Sequence, residues 1–165
     1  MKMTAQNKMF LAFLLGCAYV IAGAIQSSTG IIRVLSGKPI TSGLPFVVTE
    51  ALHIPHDILS GLILILLGTV FIYGSMELRA GIEEGIAYVY VGILLALIFA
   101  GIYVLVTTGN ILEAYLLKNE DFIGWTPIDD LRPEIYLGLL SLFAYVKWKK
   151  QFDIKDEENR RLQSQ

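Results

Sequence analysis

Glu50, His53, His56 and Asp57 bring two imidazoles and two carboxylates into one short stretch of chain. Donors of this kind bind zinc or a similar ion when three or four of them converge on one point. The spacing works against convergence. Pro55 stands between the histidines and favours the start of a helix, so His53 and His56 need not share a helical face. Pro55 and Asp57 are also ordinary helix-start residues, one lacking an N–H that the first turn does not use, the other an acid at the positive end of the helix dipole. Capping and interfacial solvation are therefore the expected roles of Glu50, His53, His56 and Asp57. They are the sequence's weak metal candidates, and no resident metal or cofactor is expected.

A second group is acidic: Glu113, Glu120, Asp121, Asp129, Asp130 and Glu134, tempered by Lys118 and Arg132. Asp129 and Asp130 precede Pro133 as helix-cap residues, and pairs of Arg132 with Asp130 or Glu134 would be exposed and worth little. A docking face for a partner or a cationic ligand is the sharper alternative. Nothing in the chain has the pattern of a Ser–His–Asp set, a phosphate-cradling glycine loop or a dinucleotide fingerprint. Cys17 sits in an apolar helix, where a thiol is a small inert hydrophobe. No catalytic residue is expected, and the protein does not read as an enzyme.

The elements that would hold these residues are membrane spans. Of 165 residues, 55% are hydrophobic and 17% charged, which excludes a disordered chain. The net charge of −2 excludes a broadly basic nucleic-acid binder. A bilayer core of about 30 Å takes roughly 20 apolar helical residues. The chain offers an all-α integral membrane domain over 1–146, with spans near 9–25, 58–76, 86–107 and 133–148, followed by a charged tail over 147–165. The fourth span is the shortest, with 12 uncharged residues from Ile135 to Val146. Pro133 at its start, a snorkelling Lys147 and Trp148 at headgroup level would lengthen it. Ala22-Gly23-Ala24 and Leu14-Leu15-Gly16-Cys17 loosely resemble cleavage sites, but the apolar run continues past Cys17, so the first span is expected to be retained.

With both termini cytoplasmic, nine Lys and Arg lie inside and four (Arg33, Lys38, Lys118, Arg132) outside, which the positive-inside rule favours. Lys147, Lys149 and Lys150 would meet lipid headgroups. The expected location is the cell membrane, multi-pass.

The two halves also look alike. Ala22-Gly23 leads to Ser28-Thr29-Gly30, and Ala100-Gly101 leads to Thr107-Thr108-Gly109. Each half then reaches a proline (Pro55, Pro133) and a Gly-Leu step (Gly61-Leu62, Gly138-Leu139) in its next span. The expected architecture is a four-transmembrane-helix bundle of two tandem helix-hairpin repeats, with short interfacial helices on the outer face, notably from Leu44 to Leu52. Helices in lipid associate through small residues. The packing candidates are Ala12 and Gly16, Gly61 and Gly68, Gly92, Ala96 and Ala100, and Gly138. Tyr88, Tyr90, Tyr145, Trp125 and Trp148 are expected as interfacial anchors. None of the four stretches carries an ionisable group in its central part, which argues against a pump, an ion-coupled carrier or an intramembrane haem protein. The function these observations favour is a non-catalytic subunit or scaffold, a homo-oligomer or one of several membrane subunits. The alternative is a transporter or permeation protein for a neutral or apolar substrate at the inter-repeat interface.

Overall fold

The computed structural model describes residues 5–37, 44–82 and 84–163. Those residues form α1 (Ala5–Ser36), α2 (Leu44–Ala51), α3 (Ile58–Arg79), α4 (Gly85–Ile111) and α5 (Pro133–Gln163). A π-turn over Leu112–Leu117 prolongs α4, and a single 3-10 turn covers Glu120–Phe122. The stretch from Leu44 thus forms a helix as expected, whereas the later connection makes only turns. Among the described residues three helical stretches are long and apolar enough to cross a membrane: Met9–Ser36, Ile58–Arg79 and Gly85–Leu117. The first and third run well beyond the boundaries expected from hydropathy. α5 is long, but its uncharged run of 12 residues lies between Glu134 and Lys147.

Local chemistry sets several helix ends. Asp57 caps α3, accepting from the amides of Leu59 (3.0 Å) and Ser60 (3.5 Å). At the other end of α3, the Ile82 amide donates to the Glu77 carbonyl (3.1 Å) and the Gly81 amide to Leu78 (3.2 Å). Gly81 takes a left-handed φ of +77°, the conformation this stop requires. α2 ends in the same pattern, Ile54 to Thr49 at 2.8 Å and His53 to Glu50 at 3.3 Å, but the left-handed position is held by His53 with φ +49°.

α1 and α3 run antiparallel and lie closest, because both offer glycine to the other. Gly16, Gly23 and Gly30 recur every seven residues on α1, opposite Gly61 and Gly68 on α3. A methyl group on Gly23 would fall 2.5 Å from the Gly61 carbonyl oxygen and 2.8 Å from the Ile65 nitrogen. One on Gly68 would fall 2.7 Å from the Gly16 oxygen, and one on Gly61 would overlap the Ser27 hydroxyl. Backbone meets backbone along this seam, the close approach that dispersion rewards in lipid. Around the short turn into α4, Gly74 and Gly85 approach in the same way. Farther along, a methyl on Gly92 would lie 3.3 Å from the Phe71 ring, and one on Gly138 of α5 would collide with Ala100 of α4.

α5 returns to α1. Tyr19 and Ser141 are hydrogen-bonded at 3.1 Å, and Gln26 and Glu134 at 3.3 Å, seven residues apart on each helix. One further heptad step along both helices leads to Ala12 and Trp148, both buried in the apolar core with Leu64, Leu67, Phe71 and Ile93. Trp148, expected as an interfacial anchor, is thus buried among the helices, 3% exposed. Tyr19 stacks on Phe71 at a centroid distance of 5.6 Å and fills the centre.

The glycine seam predicts a sharp contrast between two alanine substitutions. Gly23→Ala should lower stability by about 1–3 kcal/mol, because the methyl meets backbone that cannot move aside. Gly101→Ala, where nothing lies within 4 Å, should be neutral or slightly stabilising. Heat unfolding in a mild detergent measures both, and equal behaviour of the two variants would remove the seam as the organising contact.

Candidate functional site: the polar end of the helices

The end of the domain where α1 stops and α3 begins is polar, and its groups form chains from one helix to the next. The Ser60 hydroxyl donates to Asp57 at 2.8 Å, so the Tyr103 hydroxyl of α4, 2.5 Å away, donates to Ser60. Arg132 lies over the Tyr103 ring, 5.1 Å from its centroid. One polar chain therefore joins the cap of α3, the side of α4 and the approach to α5. Beside it, Asn110 donates to Asp130 at 2.7 Å. Asp129 accepts from the Thr126 amide (2.7 Å) and hydroxyl (3.0 Å). The Tyr136 hydroxyl reaches the Leu52 carbonyl at 3.4 Å.

Deeper in the same end, Gln26 (0% exposed) donates to Glu134 (2% exposed). The other oxygen of each side chain, Gln26 Oε1 and Glu134 Oε2, is buried and has no hydrogen-bond partner. Neighbouring Thr29 is satisfied by its own helix, donating to the Ile25 carbonyl at 2.8 Å. A buried amide facing a buried acid is costly to separate, because either group alone would be left unpaired.

Two open cavities flank His56. One, of about 460 Å³, is bounded by Glu50, His53, His56, Asp129 and Arg132 with Thr49 and Ile54. The other, of about 510 Å³, is bounded by Arg33, His56 and Asp57 with Gly30, Val34, Ile58 and Leu59. The structure therefore brings Glu50, His53 and His56 to one cavity and turns Asp57 to the other, where the carboxylate is engaged as the α3 cap. Among the described residues no group of three His, Cys, Asp or Glu side chains is placed to hold one metal ion.

The remaining candidates lie elsewhere. Ala12, Gly16, Gly61, Gly68, Gly92, Ala96, Ala100 and Gly138 are all buried between helices. Lys147 is exposed, with its ammonium 5.1 Å from the Phe143 ring centroid, and the side chains of Lys149 and Lys150 lie outside the described residues. Sequence reasoning missed Gln26, Tyr103 and the pairing of Gln26 with Glu134. The available signal was Gln26 itself, a polar residue one heptad beyond Tyr19 and two beyond Ala12.

The fold and the apolar helices define the class: this is a multi-pass integral membrane protein. Its family is that of the MJ0565 integral membrane domain, to which the chain belongs and which matches residues 2–150. No curated protein and no solved structure matches the chain.

Asp57 gives this site a pH signature. The Ser60 hydroxyl, followed by the Ser60 and Leu59 amides and the charge of Arg132, holds its carboxyl below the ordinary 3.8 despite partial burial. A lowered folded-state pKa stabilises the protein above the unfolded value, and that contribution is lost as pH falls through the folded one. Wild type should therefore exceed Asp57→Asn in unfolding temperature above pH 3.8, with the gap closing in stronger acid. A gap independent of pH would show that the charge contributes nothing.

The buried pair makes a separate prediction. Gln26→Leu should cost about 1–3 kcal/mol by stranding Glu134, while Gln26→Leu combined with Glu134→Leu should cost less than the sum of the single changes. Strict additivity in detergent unfolding would mean the two side chains do not depend on one another.

Proposed function

We propose that the protein is a non-catalytic subunit or scaffold of an assembly in the cell membrane, working with further copies of itself or with other membrane subunits. The observation that carries this reading is the reach of two helices beyond the body of the domain. The helical stretch Gly85–Leu117 has 33 residues, roughly 50 Å at the α-helical rise, against a bilayer core of about 30 Å. Its far part is apolar and barely packed: Leu105 is 72% and Leu116 74% exposed, and a methyl added at Gly101 or Gly109 would meet no neighbour within 4 Å. α1 likewise ends with Leu35 at 82% exposed. Apolar helix ends longer than the lipid can cover gain from a protein neighbour.

In this reading α5 is the fourth span of a four-transmembrane-helix bundle, its short apolar run extended by Pro133 and by Lys147 snorkelling to the interface. Both termini are cytoplasmic, as the nine-to-four division of Lys and Arg favours. The tandem-repeat reading is supported by equivalent contacts in the two halves. Gly61 packs on Gly23 in one, and Gly138 packs on Ala100 in the other, each joining the Gly-Leu step to the Ala-Gly step. A transport role draws less support, because Tyr19, Phe71 and Leu64 fill the centre, all but fully buried.

Single cysteines test the subunit reading. In a Cys17→Ser background, Leu105→Cys and Leu116→Cys should each cross-link in native membranes to a second copy or to another membrane subunit. Recovery of monomer alone at both positions would overturn it.

A further inference from the structure

The charges around His56 are unevenly committed. Asp57 accepts three hydrogen bonds from Leu59 and Ser60, and Asp129 accepts two from Thr126. The guanidinium groups are not matched in this way. Among the described residues Arg132 touches the face of the Tyr103 ring, and neither Arg33 nor Arg132 donates to a carboxylate. His56 Nδ1 is buried and has no hydrogen-bond partner. The groove thus holds two guanidinium groups with no hydrogen-bonded carboxylate among the described residues, while Glu50 lies on the wall of the first cavity and Asp57 is committed to its cap. An oxyanion with several oxygens would complete the arginine donors.

Two further features narrow the class. The Tyr103 ring lies under the Arg132 guanidinium, 5.1 Å from its centroid, a contact that uses none of the group's hydrogen-bond donors on a carboxylate. The cavity that contains Arg33 also has Val34 and Leu59 on its wall, both largely exposed and apolar. A charged crown above an oily flank, at the ends of membrane-spanning helices, lies where phospholipid headgroups and acyl chains meet.

We propose that the groove on either side of His56 binds the phosphate group of a membrane phosphodiester. Arg33 and Arg132 take the phosphate oxygens from two sides, and Val34 and Leu59 lie along the acyl chains. The site stands independently of the subunit reading, since it needs no second protein.

The test uses the full chain purified in a mild detergent, with bound amphiphile counted by native mass spectrometry. The probes are phosphatidylglycerol, diacylglycerol of the same chain length, and inorganic phosphate. Phosphatidylglycerol should bind and diacylglycerol should not. Arg33→Gln with Arg132→Gln should weaken phosphatidylglycerol binding about tenfold or more, and Arg132→Lys should keep part of it. Arg33→Gln alone, at an exposed position, should weaken binding while leaving the lipid-free unfolding temperature unchanged, which separates lost binding from lost folding. Displacement of the lipid by inorganic phosphate would support the oxyanion site and identify a soluble source. Equal binding of diacylglycerol, or undiminished phosphatidylglycerol binding by the double variant, would overturn the proposal.

Discussion

Where Gly23 meets Gly61, the backbones of two helices touch without side chains between them, and the rest of the structure is arranged from that contact. In lipid, apolar side chains gain little by leaving the solvent, so the gain must come from atoms brought close together. Glycine at heptad spacing on both helices provides this over several turns. The seam also fixes relative height. It runs up α1 through Gly30, where a methyl group would lie 2.9 Å from the Ile58 nitrogen, beside the Asp57 cap. The contact that holds α1 on α3 therefore also sets Arg33 and Gln26 level with the start of α3.

From that fixed pair, polar groups extend the order to the remaining helices. The chain from Asp57 through Ser60 and Tyr103 to Arg132 links α3 to α4 and to the approach to α5. Gln26 with Glu134, and Tyr19 with Ser141, link α1 to α5. Each link sits where an unpaired polar atom would be costly, so the hydrogen bonds act mainly by penalising other arrangements. The longest run of backbone contact lies along one helix pair, and the other helices join it through shorter small-residue contacts and sparse polar ties.

Much of this was legible in the chain. The apolar runs gave the membrane class, and small residues at four-residue or heptad spacing pointed to Gly16, Gly61, Gly68, Ala96 and Ala100, all of which lie between helices. Gly23 and Gly30 were visible only as parts of a repeated Ala-Gly and Ser-Thr-Gly pattern, because their seven-residue rhythm with Gly16 crosses the point where hydropathy begins to fall. The Gln26–Glu134 pair was illegible for a different reason. The two residues are 108 positions apart, and each belongs by composition to the edge of a span, where polar side chains ordinarily face water. Trp148 misled because amphipathic rings favour interfaces in general, while its burial here depends on neighbours from other helices, which its own span does not reveal.

The way α5 faces α1 has a consequence for alignment. Its two hydrogen-bonded rungs are unlike pairs, Tyr19 with Ser141 and Gln26 with Glu134, and the same heptad step leads on to Ala12 and Trp148. Sliding α5 by one heptad in one direction would force Tyr19 onto Trp148 and leave Gln26 facing a serine. Sliding it in the other would set Ala12 against Ser141, opening a gap, and bring Tyr19 to the acid. Alternating bulk and polarity thus works like the teeth of a key: equal steps along both helices, yet a single position at which every tooth finds its notch.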